Sequence, residues 1–461
     1  MKKISEIFSI FFVKPHPPLE ILEQRCPLPE KYNYNWEPVV LKLMAASVHK
    51  HFGSSAQIQI WHLMHTKDDA LFIEAVKKIK PEFVAFSEID ILVSEVNRLS
   101  KIIKSISPKT TTIVGGKHSS LLKKGDAFPF TGIDFAVKGD GVTSLPLILN
   151  SVLAHERTEV QGVIKTDDKN IVVEDTFSPF HGLFSNELLS VHEYKVENHT
   201  PEEYANVHHS FPGKSLIGQA VSPLFGGFGC RHQCSFCQSP LEKEADSASF
   251  PVLVVPEEAA QYMAYQIKKQ NTNGFFSLEA NMDLGNLLSI YTELEKFSVN
   301  KIATSGFIRA ADIVQSEKNG TLKHLTKKGL CALSVGLDIP TVDHFDTYKK
   351  SFTWEHLLQS LEICKEYGIY VSGTVVGDPS VSYEEFRLQL EVLKKLKVND
   401  FDIRLAIALN NTEYFNNNKM HLIYPAHSEE HLNRQNYRYQ TLQFPGKIRP
   451  EETYGLVMGF Y

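Results

Sequence analysis

The sequence predicts an α/β protein in two blocks, a doubly wound, Rossmann-like parallel sheet over residues 1–150 and a partial (β/α)6 barrel over 214–409. Short apolar strands alternate with amphipathic helices through both blocks, the pattern that buries a parallel sheet between layers of helix. Three closely spaced cysteines, Cys230, Cys234 and Cys237, follow the first strand of the second block. A linker over 151–213 and a short C-terminal extension over 410–461, rich in Asn, His, Tyr and Pro, complete the plan.

In the first block, Ser9–Val13 reads as an apolar strand and Pro38–His51 as a helix ending at Gly53. Gln57–Leu63 alternates as a strand, Asp68–Ile79 is a helix stopped by Pro81, and Glu82–Phe86 is a buried strand. Helix Leu92–Ile106 leads to strand Thr111–Val114 and then Gly115-Gly116; strand Asp134–Val137 leads to Gly139-Asp140-Gly141 and a helix from Ser144. Ligands of such sheets bind at the carboxyl ends of the strands, where glycine allows close backbone approach. Neither glycine group is a G-x-G-x-x-G fingerprint, so NAD binding has no support.

Composition bounds the function. Over 461 residues, 43% are hydrophobic and 22% charged, ordinary values for a globular protein. Lys+Arg is 48 against Asp+Glu 54, a net charge of −6, which gives no broad basic field for nucleic acid. Six cysteines are too few for a disulfide scaffold. The start, Met1-Lys2-Lys3 and then Ile4–Val13, lacks a signal-peptide core and cleavage site, and no run reaches the roughly 18 apolar residues of a membrane span. A cytoplasmic location with reduced thiols and no membrane partner is the expectation.

The loop Gly226-Gly227-Phe228-Gly229-Cys230-Arg231-His232-Gln233-Cys234-Ser235-Phe236-Cys237 follows the strand Ile217–Phe225. Three thiolates this close wrap one face of a metal cluster, and three ligands for four irons leave one iron open. A structural zinc site needs a fourth ligand, and His232 is spaced too tightly from its neighbours to be one. Cys26, Cys331 and Cys364 have no ligand-like spacing and read as a loop thiol and two core residues. Downstream, strands Phe275–Leu278, Lys301–Ser305, Ala332–Val335, Tyr370–Val376 and Asp402–Ala406 alternate with helices, making six strands in all. Reacting groups belong at their carboxyl ends.

With Phe236 just before the third cysteine, the pattern resembles the CxxxCxΦC motif of the radical S-adenosylmethionine (SAM) superfamily. The resemblance implies that Cys230, Cys234 and Cys237 hold a [4Fe–4S] cluster, that SAM chelates its open iron, and that SAM cleavage yields a 5′-deoxyadenosyl radical. It further implies SAM contacts at Phe236, at Glu279 and Asn281 (with Asp283) after the second strand, and at Ser305 and Arg309 after the third. Arg309 is the candidate partner of the SAM carboxylate. Asp338 after the fourth strand, and Val375 and Gly377 in Gly373-Thr374-Val375-Val376-Gly377, resemble the ribose- and adenine-contacting elements. The acidic GGE signature of the family is absent.

An α/β domain ahead of such a barrel resembles the cobalamin-binding branch. The matching residues are Ser87, Gly115, Gly116 and His118, with Gly139, Asp140 and Gly141. No Asp-x-His-x-x-Gly motif is present, so the lower axial ligand stays open; His16 and His118 follow strands and read by default as a proline-flanked loop histidine and an exposed strand-end histidine. The implied activity is methylation of an unactivated carbon, a second SAM remethylating the cobalamin. A non-methylating oxidoreductase, cyclase or mutase with bound cobalamin is the alternative; a cluster- or cobalamin-sensing binding protein is another from a different class. A small-molecule or peptide-like substrate, met by the linker and by Arg404, Tyr414, His421 and Tyr424, and an external electron donor such as flavodoxin or ferredoxin complete the expectation.

Overall fold

A computed structural model describes residues 7–16, 38–64, 66–88, 92–179, 194–200, 221–241, 251–337, 348–426, 428–433 and 440–460. The described residues up to 200, with 426–433, form one compact unit, and the others form a second.

In the first unit, strands β1 (Phe8–Lys14), β2 (Ala56–His62), β3 (Phe83–Glu88), β4 (Thr111–Gly116) and β5 (Phe135–Val137) alternate with helices α1 (Val39–Phe52), α2 (Thr66–Ile79), α3 (Val93–Ile106), the short α4 (Lys117–Leu121) and α5 (Gly141–Leu153). The sheet is parallel in the order β2-β1-β3-β4-β5, so the strand order reverses between β1 and β3. A doubly wound sheet opens its ligand crevice at that reversal. Central β1, Phe-Ser-Ile-Phe-Phe-Val-Lys, is buried in all but its last residue, as a strand covered on both faces must be. Helix α3 buries Val93, Val96, Leu99 and Ile103 at the three- and four-residue spacing of one helical face, against Phe11, Val84 and Val114 of the sheet core.

The linker is more ordered than its weak periodicity suggests. Strands β6 (Lys165–Thr166) and β7 (Val172–Glu174) pair antiparallel, too short to register as alternation. Further on, the Glu197 amide donates to Ile60 at 2.8 Å, and the Asn198 side chain clasps the His62 backbone at 3.1 and 2.8 Å. From the extension, the short helix Glu429–Asn433 places Leu432 in this unit's core.

Two strand-end features turn inward. Glu88, buried at the end of β3, accepts from the Ser119 amide at 2.8 Å and hydroxyl at 2.9 Å and so caps α4. That turn carries His118 into the interior, fully buried and edge-on to Phe130, rather than to the exposed strand end expected of it. Gly116 sits at φ 153°, and a Cβ there would lie 2.0 Å from the Glu88 carbonyl oxygen. Replacing Gly116 by Ala is expected to destabilise the unit by about 3 kcal/mol. A lowered denaturation midpoint checks this; an unchanged midpoint would show that the strand ends shift freely.

The second unit carries β8 (Val221–Leu224), the antiparallel pair β9 (Gly227–Phe228) and β10 (Val252–Leu253), then α6 (Pro256–Gln270), β11 (Gly274–Ser277), α7 (Leu284–Glu295), β12 (Ala303–Arg309), α8 (Ala310–Lys318), α9 (Thr321–Lys328), β13 (Leu330–Gly336), α10 (Trp354–Glu366), β14 (Tyr370–Gly377), α11 (Tyr383–Lys394) and β15 (Asp400–Leu405). Its six-stranded sheet runs β15-β14-β13-β12-β11-β8, every pair parallel, the open sheet of a partial barrel. Capping boxes open α10 at Thr353 and α11 at Ser382. Strand β12 runs four residues past the predicted Ser305, so Arg309 ends the strand, and α8 follows it at once. Gly306 and Phe307 mask this continuation in sequence.

The extension adds α12 (Glu413–Asn418) and α13 (Pro450–Phe460) to this unit. Gln440 is buried, donating to Leu442 and Ile448 carbonyls at 2.7 and 3.1 Å while accepting from the Thr453 hydroxyl at 2.8 Å. The Ile448 amide reaches Val381 at 3.0 Å, so the segment is knitted to the barrel. Among the described residues no helix is long and apolar enough to cross a membrane.

Candidate active site

Cys230, Cys234 and Cys237 lie on the loop after β9, each half-buried and none in a disulfide. They are near enough to interact: burial pushes the Cys230 thiol up to about 11, Cys237 and Cys234 add to the rise, and the His232 amide and Arg309 oppose it. An amide directed at a cysteine sulfur, with two further thiols close enough to act on it, suits the corners of a cluster. Iron bound there would displace the thiol protons.

Aromatic and backbone contacts hold the loop. The Ser235 amide donates to Tyr348 at 3.1 Å, and the Tyr414 amide to Ser235 at 2.9 Å. Phe236 meets the Tyr348 ring edge-on at 5.3 Å, with the Lys350 ammonium 4.6 Å from its own centroid. Tyr414, read from sequence as a substrate contact, is buried and stacks obliquely on Tyr348 at 5.7 Å.

Glu279 sits just past β11, 5% exposed. The Ser277 hydroxyl donates to it at 2.8 Å and the Asp283 amide at 3.2 Å. Burial nonetheless pushes its carboxyl up to about 7. Gly226 makes room for it, because a Cβ there would stand 2.1 Å from Glu279 Oε1. An uncharged carboxyl in such a pocket ionises readily once a cation arrives, which fits the amino group of SAM.

At the end of β12, Arg309 donates from Nη1 to His232 Nδ1 and lies 5.3 Å over Phe352, while its Nε and Nη2 are buried without hydrogen-bond partners among the described residues. The Ser305 hydroxyl on the same strand is likewise buried and unmatched. These donors fit a carboxylate and a hydroxyl-bearing ligand. Asn281 is committed within the protein, its Oδ1 accepting from the Arg309 amide at 3.0 Å and its Nδ2 donating to Asp312 at 2.8 Å. Burial works to raise the Asp312 carboxyl, but its contacts to His232 and Asn281 prevail and hold it below the ordinary range. Val375 and Gly377, both buried, lie in β14, paired in register with Ile403 and Leu405. Asp338 lies outside the described residues. Arg404 pairs with Val376 in register, His421 stacks on Phe444 at 4.5 Å, and Tyr424 is half-buried. The roles of His232, Asp312 and Tyr348 were not visible in sequence, because each depends on a partner more than 60 residues away or on a strand end whose length was misread.

In the first unit, Ser87 pairs with Gly115 at the carboxyl ends of β3 and β4, both half-buried. A Cβ on Gly115 would touch only Val137, at 3.7 Å, so this edge has room for a flat ligand. Other glycines serve the protein itself: at Gly139, φ 89°, a Cβ would strike the Ser178 carbonyl at 2.3 Å, and at Gly141 it would meet Met44 at 2.9 Å. Asp140 caps α5, accepting from Val142 and Thr143 amides at 2.9 and 3.1 Å. His16 is buried, its Nε2 3.6 Å from Asp69, whose carboxylate Arg98 bridges to Glu95. The guanidinium already neutralises these carboxylates, an ion-pair network rather than a cation site.

Residues 225–402 match the model of the Radical SAM superfamily. The fold, a parallel α/β unit followed in the chain by a six-stranded parallel partial barrel, is shared with solved cobalamin-dependent radical SAM enzymes. The radical S-adenosylmethionine methyltransferase TsrM from Kitasatospora setae, solved with cobalamin and a [4Fe–4S] cluster, is similar over 87% of this chain and 72% of its own, with a TM-score of 0.64 and 14% identity. The cobalamin-dependent S-adenosylmethionine radical enzyme OxsB, solved with aqua-cobalamin and S-adenosylmethionine, is similar over 89% of this chain and 54% of its own, with a TM-score of 0.61 and 13% identity. In sequence, the anaerobic magnesium-protoporphyrin IX monomethyl ester cyclase of Rubrivivax gelatinosus is 22% identical over 343 residues, 73% of this chain and 58% of the cyclase. The chain therefore spans little more than half the length of the cyclase and of OxsB.

Proposed function

We infer that this protein is a cobalamin-dependent radical SAM enzyme that methylates an unactivated carbon. The observation that carries the reading is the convergence of the three-cysteine loop with the Arg309 guanidinium, whose charge acts on Cys230 and whose Nε and Nη2 are unmatched. The family match and the cofactors in the solved neighbours support the cluster, SAM and cobalamin together. When bound, the cluster supplies the electron that cleaves SAM, and cobalamin supplies a methyl group. The protein's part is to hold three irons through Cys230, Cys234 and Cys237, to take the SAM carboxylate on Arg309 and its amino group on Glu279, and to exclude water around Phe236. In the first unit, the edge at Ser87 and Gly115 receives the corrin.

Methylation is favoured because TsrM, which shares the fold over 87% of this chain, is a methyltransferase. A cyclase is the second reading, since the Rubrivivax gelatinosus relative is one. We further propose a cytoplasmic enzyme that takes its electron from a flavodoxin or ferredoxin and acts on a small or peptide-like substrate. Anaerobically reconstituted, cobalamin-supplemented protein given methyl-deuterated SAM, a reductant and candidate substrates tests the assignment. Label in the product is expected. Formation of 5′-deoxyadenosine with an altered but unlabelled product would establish the cyclase or oxidoreductase reading, and no SAM cleavage under any condition would leave a sensor.

A further inference from the structure

His232 lies inside the cysteine loop, two residues from both Cys230 and Cys234. Its Nδ1 accepts from Nη1 of Arg309, so its ring proton belongs on Nε2, which faces Asp312 Oδ2 at 3.6 Å. Asp312 is held in turn by Asn281 Nδ2 at 2.8 Å, and Asn281 Oδ1 returns to the Arg309 backbone amide at 3.0 Å. The contacts close a circuit that begins at the Arg309 side chain and ends at the Arg309 backbone. Below it, Phe352 supports the guanidinium plane at 5.3 Å.

The circuit selects which edge of the guanidinium stays available. With Nη1 on His232, the unmatched groups are Nε and Nη2. These two N–H bonds point the same way along one edge, the fork that matches both oxygens of a carboxylate. A buried cationic fork is costly to leave unmatched, so its natural occupant is a planar two-oxygen anion. A histidine serving only to staple its own loop would have no need of an arginine from β12.

We propose that His232 is a positioning residue for SAM: by holding Nη1 it presents the Nε–Nη2 edge of Arg309 to the SAM carboxylate. The proposal rests on the reading of Arg309 as the carboxylate's partner. It makes the cysteine loop contribute to SAM selection through a side chain that is not an iron ligand.

The test compares equilibrium binding of SAM and decarboxylated SAM to reconstituted wild type, His232→Leu, His232→Asn and Arg309→Lys, with iron content measured on each. Asn places an acceptor oxygen the same number of bonds from Cβ as Nδ1, so it should replace His232. Wild type should prefer SAM, His232→Leu should lose about tenfold of that preference at unchanged iron, and His232→Asn should recover most of it. Arg309→Lys should lose the preference most fully. If His232→Leu keeps the wild-type preference while Arg309→Lys loses it, the positioning role is wrong. Iron lost from both His232 variants would make the residue part of the loop's own fold, again overturning the role. If Arg309→Lys itself keeps the preference, the underlying assignment of Arg309 fails, a separate and recognisable result.

Discussion

Replacing any one of Cys230, Cys234 and Cys237 by Ala is expected to strip most of the iron and to lower 5′-deoxyadenosine formation by at least ~1000-fold, since catalysis by a bound group is lost with the group. The structure separates these thiols from Cys331 and Cys364, while Cys26 lies outside the described residues. Cys364 is fully buried in α10, where burial alone pushes its thiol up to about 12. Cys331 is the second residue of β13, its sulfur 3.6 Å from the Thr304 carbonyl. Cys364→Ala should therefore reduce stability by about 1–2 kcal/mol and leave iron untouched. Iron and sulfide assays with the visible spectrum of anaerobic protein distinguish the two outcomes. Full iron retained in a Cys234 variant would sink the cluster assignment.

Glu279→Gln should have the second-largest effect, weakening SAM binding about 100-fold at pH 8, the scale of one buried charge-assisted contact. Its pH signature is more diagnostic. Burial raises the folded carboxyl to about 7 from an ordinary 4.5, so the native state holds its proton where the unfolded chain has lost it. Stability must then fall as pH rises from about 4.5 through 7 and level off above, by about 3 kcal/mol in all. The Gln variant should lose that slope. Thermal denaturation of SAM-free wild type and variant between pH 5 and 8 checks it; parallel profiles would place the carboxylate in water. In the wild type near pH 6.5, SAM binding should release a proton, seen as a buffer-dependent binding enthalpy.

The three-cysteine motif is legible because it depends on spacing along the chain, and the succession of strands and helices in both blocks follows from hydrophobic period. What escaped depends on partners remote in sequence. Arg309 was recognised as a candidate, but not its place at the end of a seven-residue strand, because Ser305 and Gly306, poor strand formers, sit at its middle. His118 was misread as exposed because nothing local shows that Glu88, 30 residues earlier, draws its turn inward. The glycines at 116 and 139 looked like ligand cradles. Their φ values answer instead to the carbonyls of Glu88 and Ser178.

The C-terminal extension has a consequence for the order in which this chain matures. Leu432 packs into the core of the first unit, and the Tyr414 amide secures Ser235 between two of the cysteines. During synthesis both residues leave the ribosome after the strands they act on, so neither the core of the first unit nor the cysteine loop is closed by the preceding chain alone. A chain that stops short of residue 414 lacks the contact on Ser235, and one that stops short of residue 432 lacks a side chain of the sheet core.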